Sequence, residues 1–240
     1  MKARSSAHRR GAEFRARIIT RQPMAYPSPA FREDRTEILH AAIHGLHFGV
    51  LVTHPESGFA TSYLPWELDG TRGPHGTLVG HLARYNPQSQ TPGNGVDALV
   101  LFQGPHAYVS PSWYPGKRED PRQVPTWDYL AVEARGKLVT FDDEARLYNL
   151  LVQLTDRNEA GRELRWRVTD APDDYVRSEM RHIVGIELRI ESLVGRYKLS
   201  QNRNTADQEG ARAGLAVAPT ERERELAKVI AVTQRERQER

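Results

Sequence analysis

The residues in this chain whose types could bind or react fall in a few short stretches: His81, Arg84 and Asn86; Ser110 and Ser112; Lys117 and Arg118; Thr126 and Trp127; and Lys198, Ser200, Gln201, Asn202 and Arg203. Cations beside hydroxyls and turn-forming residues are what a phosphate monoester requires, because its oxygens take charge-assisted hydrogen bonds from Lys, Arg and backbone N–H groups. On one helical turn, His81 and Arg84 at i and i+3 could both face such a group. The same spacing also describes a surface turn closed by a salt bridge, and spacing alone does not separate the two. Other standard signatures are mostly missing. There is no G-x-S-x-G elbow, Walker A loop or G-x-G-x-x-G fingerprint, and no pair of acids is placed as in a glycosidase. His40 and His44 have metal-ligand spacing, but without the Glu of an H-E-x-x-H arrangement they read as solvated helix histidines. With no cysteine, thiolate metal sites, cysteine nucleophiles and a disulfide scaffold are excluded.

The elements that must position these groups centre on Phe102–Tyr114 and its continuation Val124–Tyr129. The two segments hold two of the four tryptophans and three of the nine tyrosines. Val96–Phe102 is β-branched and apolar and reads as a buried strand, Gly104-Pro105-His106 as a bend, and Ala107–Ser110 as the returning strand. Aromatic rings beside hydroxyls at strand ends suit a pocket for a flat, polar-edged ligand, and they equally suit an ordinary β-core.

Elsewhere, Asp34 reads as the N-cap of a helix carrying Ile38, Ala42 and Leu46 on one face, with Glu37 at capping-box spacing. Phe48–His54 and Gly58–Leu64 flank the turn Pro55-Glu56-Ser57 as a hairpin, with a loop from Pro65 through Asp69-Gly70. Thr77–Gly80 is a further strand running into one helical turn before Pro87. Asp128–Thr140 is one long strand or a pair. Leu147, Leu150, Leu151 and Leu154 mark a helix over 142–158, and 173–182 is a second. Ile183–Leu193 alternates as a half-exposed strand, and 206–215 and 220–240 are helices, the last loosely docked. Several strands separated by turns predict a small barrel or sandwich. Residues 1–23 carry seven basic residues against one acid, so a chain of net charge +3 is about −3 outside them. That segment is expected to be disordered, as a basic arm or an extension ahead of Met24, with an organellar presequence the poorer fit. The acidic balance of the rest gives no support to nucleic-acid binding. No apolar run approaches the ~18 residues of a membrane span, and a cytoplasmic location is expected.

Several of these stretches together resemble one known family. They are Met24–Phe31, Gly80-His81-Leu82-Ala83-Arg84-x-Asn86-Pro87, the run from Phe102 to Tyr114, Val124-Pro125-Thr126-Trp127-x-Tyr129, and Lys198-Leu199-Ser200-Gln201-Asn202-Arg203. The chain resembles the PaiB-like FMN-binding negative transcriptional regulators over about residues 24–215. The resemblance implies a mainly β split barrel with flanking helices, of the pyridoxamine-phosphate-oxidase and flavin-reductase type, working as a homodimer with FMN at the subunit interface. It implies an FMN-binding domain over 24–215; the residues beyond it, 216–240, read as a charged helical tail. His81 and Arg84, with Asn86, would hold the phosphate. Ser110, Ser112, Thr126 and Trp127 would line the ring or ribityl pocket, with Lys198 and Gln201 completing the cofactor-binding set.

This sequence departs from the family pattern at three places. Asp128 stands where Asn is usual, exchanging an amide for an acceptor-only carboxylate. Ser89 replaces a Trp, and Arg196 and Tyr197 replace a Lys and a Trp. The resemblance implies a transcriptional role, with DNA as an expected partner on that ground alone, since no helix-turn-helix with a basic recognition helix is visible. A flavin-dependent oxidoreductase or flavin reductase is the alternative, and a flavin protein that modulates a partner without touching DNA is a third.

Overall fold

The computed structural model describes residues 29–56, 58–91 and 93–238. The basic segment 1–23 and most of the Met24–Phe31 stretch lie outside them. The strands are β1 (Arg32–Glu33), β2 (Phe48–Thr53), β3 (Ala60–Pro65), β4 (Glu67–Asp69), β5 (Thr77–Ala83), β6 (Val96–Val109), β7 (Thr126–Phe141) and β8 (Ile183–Lys198). The helices are α1 (Thr36–Leu46), α2 (Glu144–Glu159), α3 (Asp173–Met180), α4 (Thr205–Ala216) and α5 (Glu221–Gln238).

All the strands pair antiparallel in one sheet of order β3-β2-β6-β7-β8-β5-β4, with β1 added beside β8. Strand alternation sets the inside of the barrel. Leu51, Leu64, Leu78, Val100, Phe102, Val132, Ala134, Leu138, Ile186 and Leu188 point inward and are buried. The two ends of the sheet meet by packing: Gly80 of β5 leaves space that Leu64 of β3 and Trp66 fill, 3.0 and 3.2 Å from where a Cβ would stand. This is the mainly β, split-barrel architecture that the sequence led us to expect.

Strands β6, β7 and β8 are 14, 16 and 16 residues long and run beyond the barrel as a three-stranded extension. The inner face of the extension packs on α4 and α5 and the inner end of the barrel on α1, so that Leu39, Ile43, Ala107, Val109, Leu130, Leu215, Leu226 and Ile230 join the barrel core. Helices α2 and α3 form a second, smaller core of Leu147, Leu150, Leu154, Val176 and Met180 against Val79, Phe141 and Ile183.

Several expectations change. Arg35, not Asp34, precedes α1 and makes no side-chain cap, because Asp34 is held by the Arg32 guanidinium at 2.6 Å. Glu67–Asp69 is a strand inside the expected loop. Gly104-Pro105 is not a bend between two strands; β6 continues through it with a shift of register between Gln103 and His106. Asp128–Thr140 lies within a single strand, β7. β8 is more buried than half-exposed alternation implies, since α2 covers part of its outer face and Glu187 is only 3% exposed. The last helix is firmly docked: Leu226, Ala227 and Ile230 are 0, 3 and 1% exposed within the main core, which therefore extends past residue 215. Asp143 does cap α2, accepting the Arg146 N–H at 2.8 Å, as its position before the leucine-bearing helix predicts.

Candidate functional site

The nine predicted cofactor-binding residues separate into two groups at opposite ends of the sheet. His81 sits on β5 opposite Gly185 near the start of β8, whereas Lys198 ends β8 beside Tyr129 of β7. Thirteen positions of strand separate Gly185 from Lys198, up to about 40 Å along β8 at ~3.3 Å per residue, so the two groups do not adjoin within one chain.

At the first end, His81 is not on a helical turn. β5 continues to Ala83, so His81 belongs to a strand and Arg84 follows it. The two therefore do not share a helical face. Arg84 donates to both Asp142 carboxylate oxygens at 2.9 and 2.6 Å and to the carbonyls of Arg181 and Ile183 at 2.9 and 2.7 Å. It ties the β7–α2 turn to the start of β8 and holds Asp142 below the usual carboxylate range. His81 Nδ1 is buried without a partner, and burial lowers the His81 pKa. Asn86 caps the short turn Pro87–Ser89, accepting Gln88 N–H at 2.9 Å and donating to Ser62 Oγ at 2.9 Å. Ser62 in turn donates to Gln88, whose amide donates to Thr53 Oγ1 at 2.9 Å. Gln88 and Thr53 of this network line an open cavity of about 560 Å³, together with His54, Asp97 and Lys137.

At the second end, Lys198 Nζ donates to Thr126 Oγ1 and, at 2.8 Å, to the Trp127 carbonyl. Trp127 and its register partner Tyr108 are each 47% exposed on the outer face. Gln201 makes its hydrogen bonds within the chain, accepting Leu199 N–H and donating to the Ala30 and Tyr197 carbonyls. Ser110 accepts the Ser112 N–H at 3.2 Å and begins the turn that carries Trp113. That tryptophan is structural, lying on α4 where Gly210 and Gly214 lack side chains. A Cβ at Gly214 would stand 2.3 Å from the indole.

Beneath Trp127 lies a polar cluster whose burial periodicity did not reveal. Asp128 is fully buried; its Oδ2 accepts Ser200 Oγ–H at 2.5 Å and its Oδ1 has no partner. The buried Tyr114 hydroxyl is also unpartnered, within electrostatic reach of both residues, and the Arg203 guanidinium lies 4.7 Å from the Tyr114 ring centroid. Burial pushes the Asp128 carboxyl up, against the opposing effects of Ser200, Lys198 and Arg203. Its departure from the family's Asn was the one signal in the sequence. A second unforeseen cluster, where Arg72 and Arg146 converge on buried Glu187, borders a cavity of about 680 Å³ under α2. Burial alone would raise the Glu187 pKa, but Arg72 and Arg146 bring it below the ordinary value. His40 Nε2 lies 3.0 Å from the His75 carbonyl, and no group of metal-ligating side chains occurs among the described residues. No helix among them is long and apolar enough to cross a membrane.

The second end suits part of a flavin mononucleotide: an ammonium beside a hydroxyl at Lys198 and Thr126, with exposed indole and phenol faces for a flat ring, whereas the unmet imidazole nitrogen of His81 lies at the other end of the chain's sheet. Comparison with known proteins agrees. Residues 25–192 match the family model described as "Putative FMN-binding domain". The chain is 36% identical over 177 residues to protease synthase and sporulation protein PAI 2 of Bacillus subtilis, covering 74% of this chain and 82% of that protein. It is 30% identical to an uncharacterized Aspergillus fumigatus protein, covering 82% and 93% of the two chains. In fold it is similar to the FAD and heme binding protein of Mycobacterium smegmatis (TM-score 0.50, 17% identity, 70% and 73% covered). It is likewise similar to the flavocytochrome Anf3 of Azotobacter vinelandii (TM-score 0.51, 11% identity, 70% and 69% covered). With its split-barrel fold and with FMN as its cofactor, the chain belongs to the PaiB-like family of FMN-binding proteins.

Proposed function

We propose that the protein is a homodimeric FMN-binding negative transcriptional regulator of the PaiB type, with each flavin held between two copies. The observation that carries the dimer is the division of the cofactor-binding residues between distant ends of one chain. In this reading Thr126, Trp127, Lys198 and Gln201, with Ser110 and Ser112, come from one copy, and His81, Arg84 and Asn86 from the other. The exposed aromatic residues on the outer faces of β2, β3, β6 and β7 support it: Phe48, Tyr63, Tyr108 and Trp127 are 54, 68, 47 and 47% exposed. Such a surface suits a two-fold partner. FMN supplies any redox chemistry, and the protein supplies binding and orientation.

The regulatory part is supported by the family, one member of which is named for protease synthesis and sporulation. DNA would be the partner, and the cytoplasm the location. The primary test is the visible spectrum of the purified full chain, combined with its mass in solution. Flavin absorbance on a dimer supports the reading; a protein that neither carries nor takes up FMN overturns it. Salt-dependent binding of the full chain to duplex DNA tests the regulatory part. Anaerobic bleaching of bound flavin by NAD(P)H, without DNA binding, would favour the flavin-dependent oxidoreductase instead.

A further inference from the structure

The shift of register in β6 brings together two side chains that the sequence keeps apart. Gly104 and Pro105 interrupt the ladder between Gln103 and His106. A Cβ at Gly104 would stand 2.9 Å from Leu130 Cδ2, so a side chain there would push β6 off β7. Past this bulge the pairing resumes with His106 opposite Tyr129 and Tyr108 opposite Trp127. Bulges re-aim side chains. Here the consequence is a hydrogen bond: Trp127 Nε1–H donates to His106 Nδ1 at 3.1 Å, with ring centroids 5.7 Å apart and planes tilted by 32°.

An indole nitrogen can only donate, so this bond requires His106 to present a bare Nδ1. The surroundings favour that state. Partial burial, followed by the Arg222 guanidinium of α5, lowers the His106 pKa below the ordinary histidine value of 6.5. Tyr129 opposite it, Lys198 next to Tyr129 on β8 with its ammonium on the Trp127 carbonyl, and Tyr108 two residues along β6 are the other titratable groups at hand on the sheet. The exposed indole of Trp127 thus has one polar anchor, and the anchor is lost when His106 takes a second proton.

We propose that His106 is a positioning residue, holding the Trp127 indole in the orientation that receives the flavin ring. The inference rests on the reading that Trp127 lies against FMN. FMN affinity, followed by quenching of flavin fluorescence, tests it on the full chain and on His106→Leu, His106→Asn and Trp127→Ala, each at pH 8 and pH 5. His106→Leu removes the acceptor and should weaken FMN about fivefold at pH 8, the effect of one hydrogen bond of ~1 kcal/mol at ~1.4 kcal/mol per tenfold. His106→Asn offers an amide oxygen near the place of Nδ1 and should recover most of that loss. The unmodified chain should bind FMN more weakly at pH 5 than His106→Asn does, because only histidine loses its acceptor on acidification. Unchanged binding by His106→Leu beside lost binding by Trp127→Ala overturns the proposal and spares the reading beneath it. Unchanged binding by Trp127→Ala overturns both. If His106→Leu does not fold, the pH comparison decides alone: equal acid weakening in His106→Asn and the unmodified chain also overturns the proposal.

Discussion

At the β5 end of the sheet, Arg84 gives its guanidinium to Asp142 and two carbonyls, and Asn86, Ser62 and Gln88 satisfy one another. At the far end of β7 and β8, two fully buried polar atoms lack partners, and two aromatic rings face outward above them. The first end is largely closed upon itself, although His81 Nδ1 and the Nε1 of Trp66, which packs on Gly80, have no partners. The second keeps unspent hydrogen-bonding capacity beside flat apolar surface, which is the condition for taking up a ring with polar edges. Groups already satisfied within the chain must give up bonds before they can hold a ligand, whereas groups without partners gain by binding.

The strongest way to break this comparison is to remove the support of the second end. Leu226 of α5 is fully buried in the core that backs the extension. Leu226→Ala should cost about 2–5 kcal/mol, measured by urea denaturation, and should weaken FMN along with stability. A loosely docked helix would give almost no loss. Sequence periodicity places this helix correctly, but its few apolar residues among many charges suggest weak docking. What they meet is decided by Ala107 and Val109 more than a hundred residues earlier, on the inner face of a strand that reads locally as two.

A smaller effect is expected from Asp128→Asn, which sharpens the contrast by removing the buried acid. Because burial raises the folded-state pKa of Asp128 above its ordinary value of 3.8, the folded protein holds this proton more tightly than the unfolded chain. The stabilisation is complete below the unfolded pKa and is lost as pH rises through the folded one. Asp128→Asn should therefore be more stable than the unmodified chain at pH 8, by on the order of 1 kcal/mol. The advantage should shrink toward pH 4. Denaturation midpoints across that range measure it, and a difference independent of pH would show that burial of the charge is not the cause.

The strands and the leucine-bearing helix are legible in the sequence because alternation, turn residues and leucine spacing are local signals, though they leave barrel and sandwich open and the family motifs decide for the barrel. Local signals fail where strands cross long distances or a residue's role is set by its partner. His81 and Arg84 look like neighbours on one turn, but the hydrogen bonds of β5 to β8 carry the strand through His81. Glu187 looks exposed by alternation, yet Arg72 and Arg146 bury it from outside the sheet. Trp113 and Trp127 lie in neighbouring aromatic stretches. One lies on the glycines of α4 and the other faces outward, a difference fixed by what covers each strand.

The finest test concerns Arg84, the residue on which the comparison and the proposed phosphate contact pull in opposite directions. Its ion pair with Asp142 is half-exposed, with side chains 45 and 65% accessible, so solvent screening leaves it little net value. The two bonds to backbone carbonyls add modestly, and Arg84→Ala should lower stability by about 1 kcal/mol. Its effect on ligands separates the roles. If a partner's flavin phosphate draws Arg84 from Asp142, the substitution weakens FMN far more than riboflavin, which has the same ring and ribityl chain without the phosphate. Equal losses for the two ligands would leave Arg84 as the tie between the β7–α2 turn and the start of β8. The phosphate would then belong to other donors, His81 first among those named at this end, since its buried ring nitrogen has no partner within the chain.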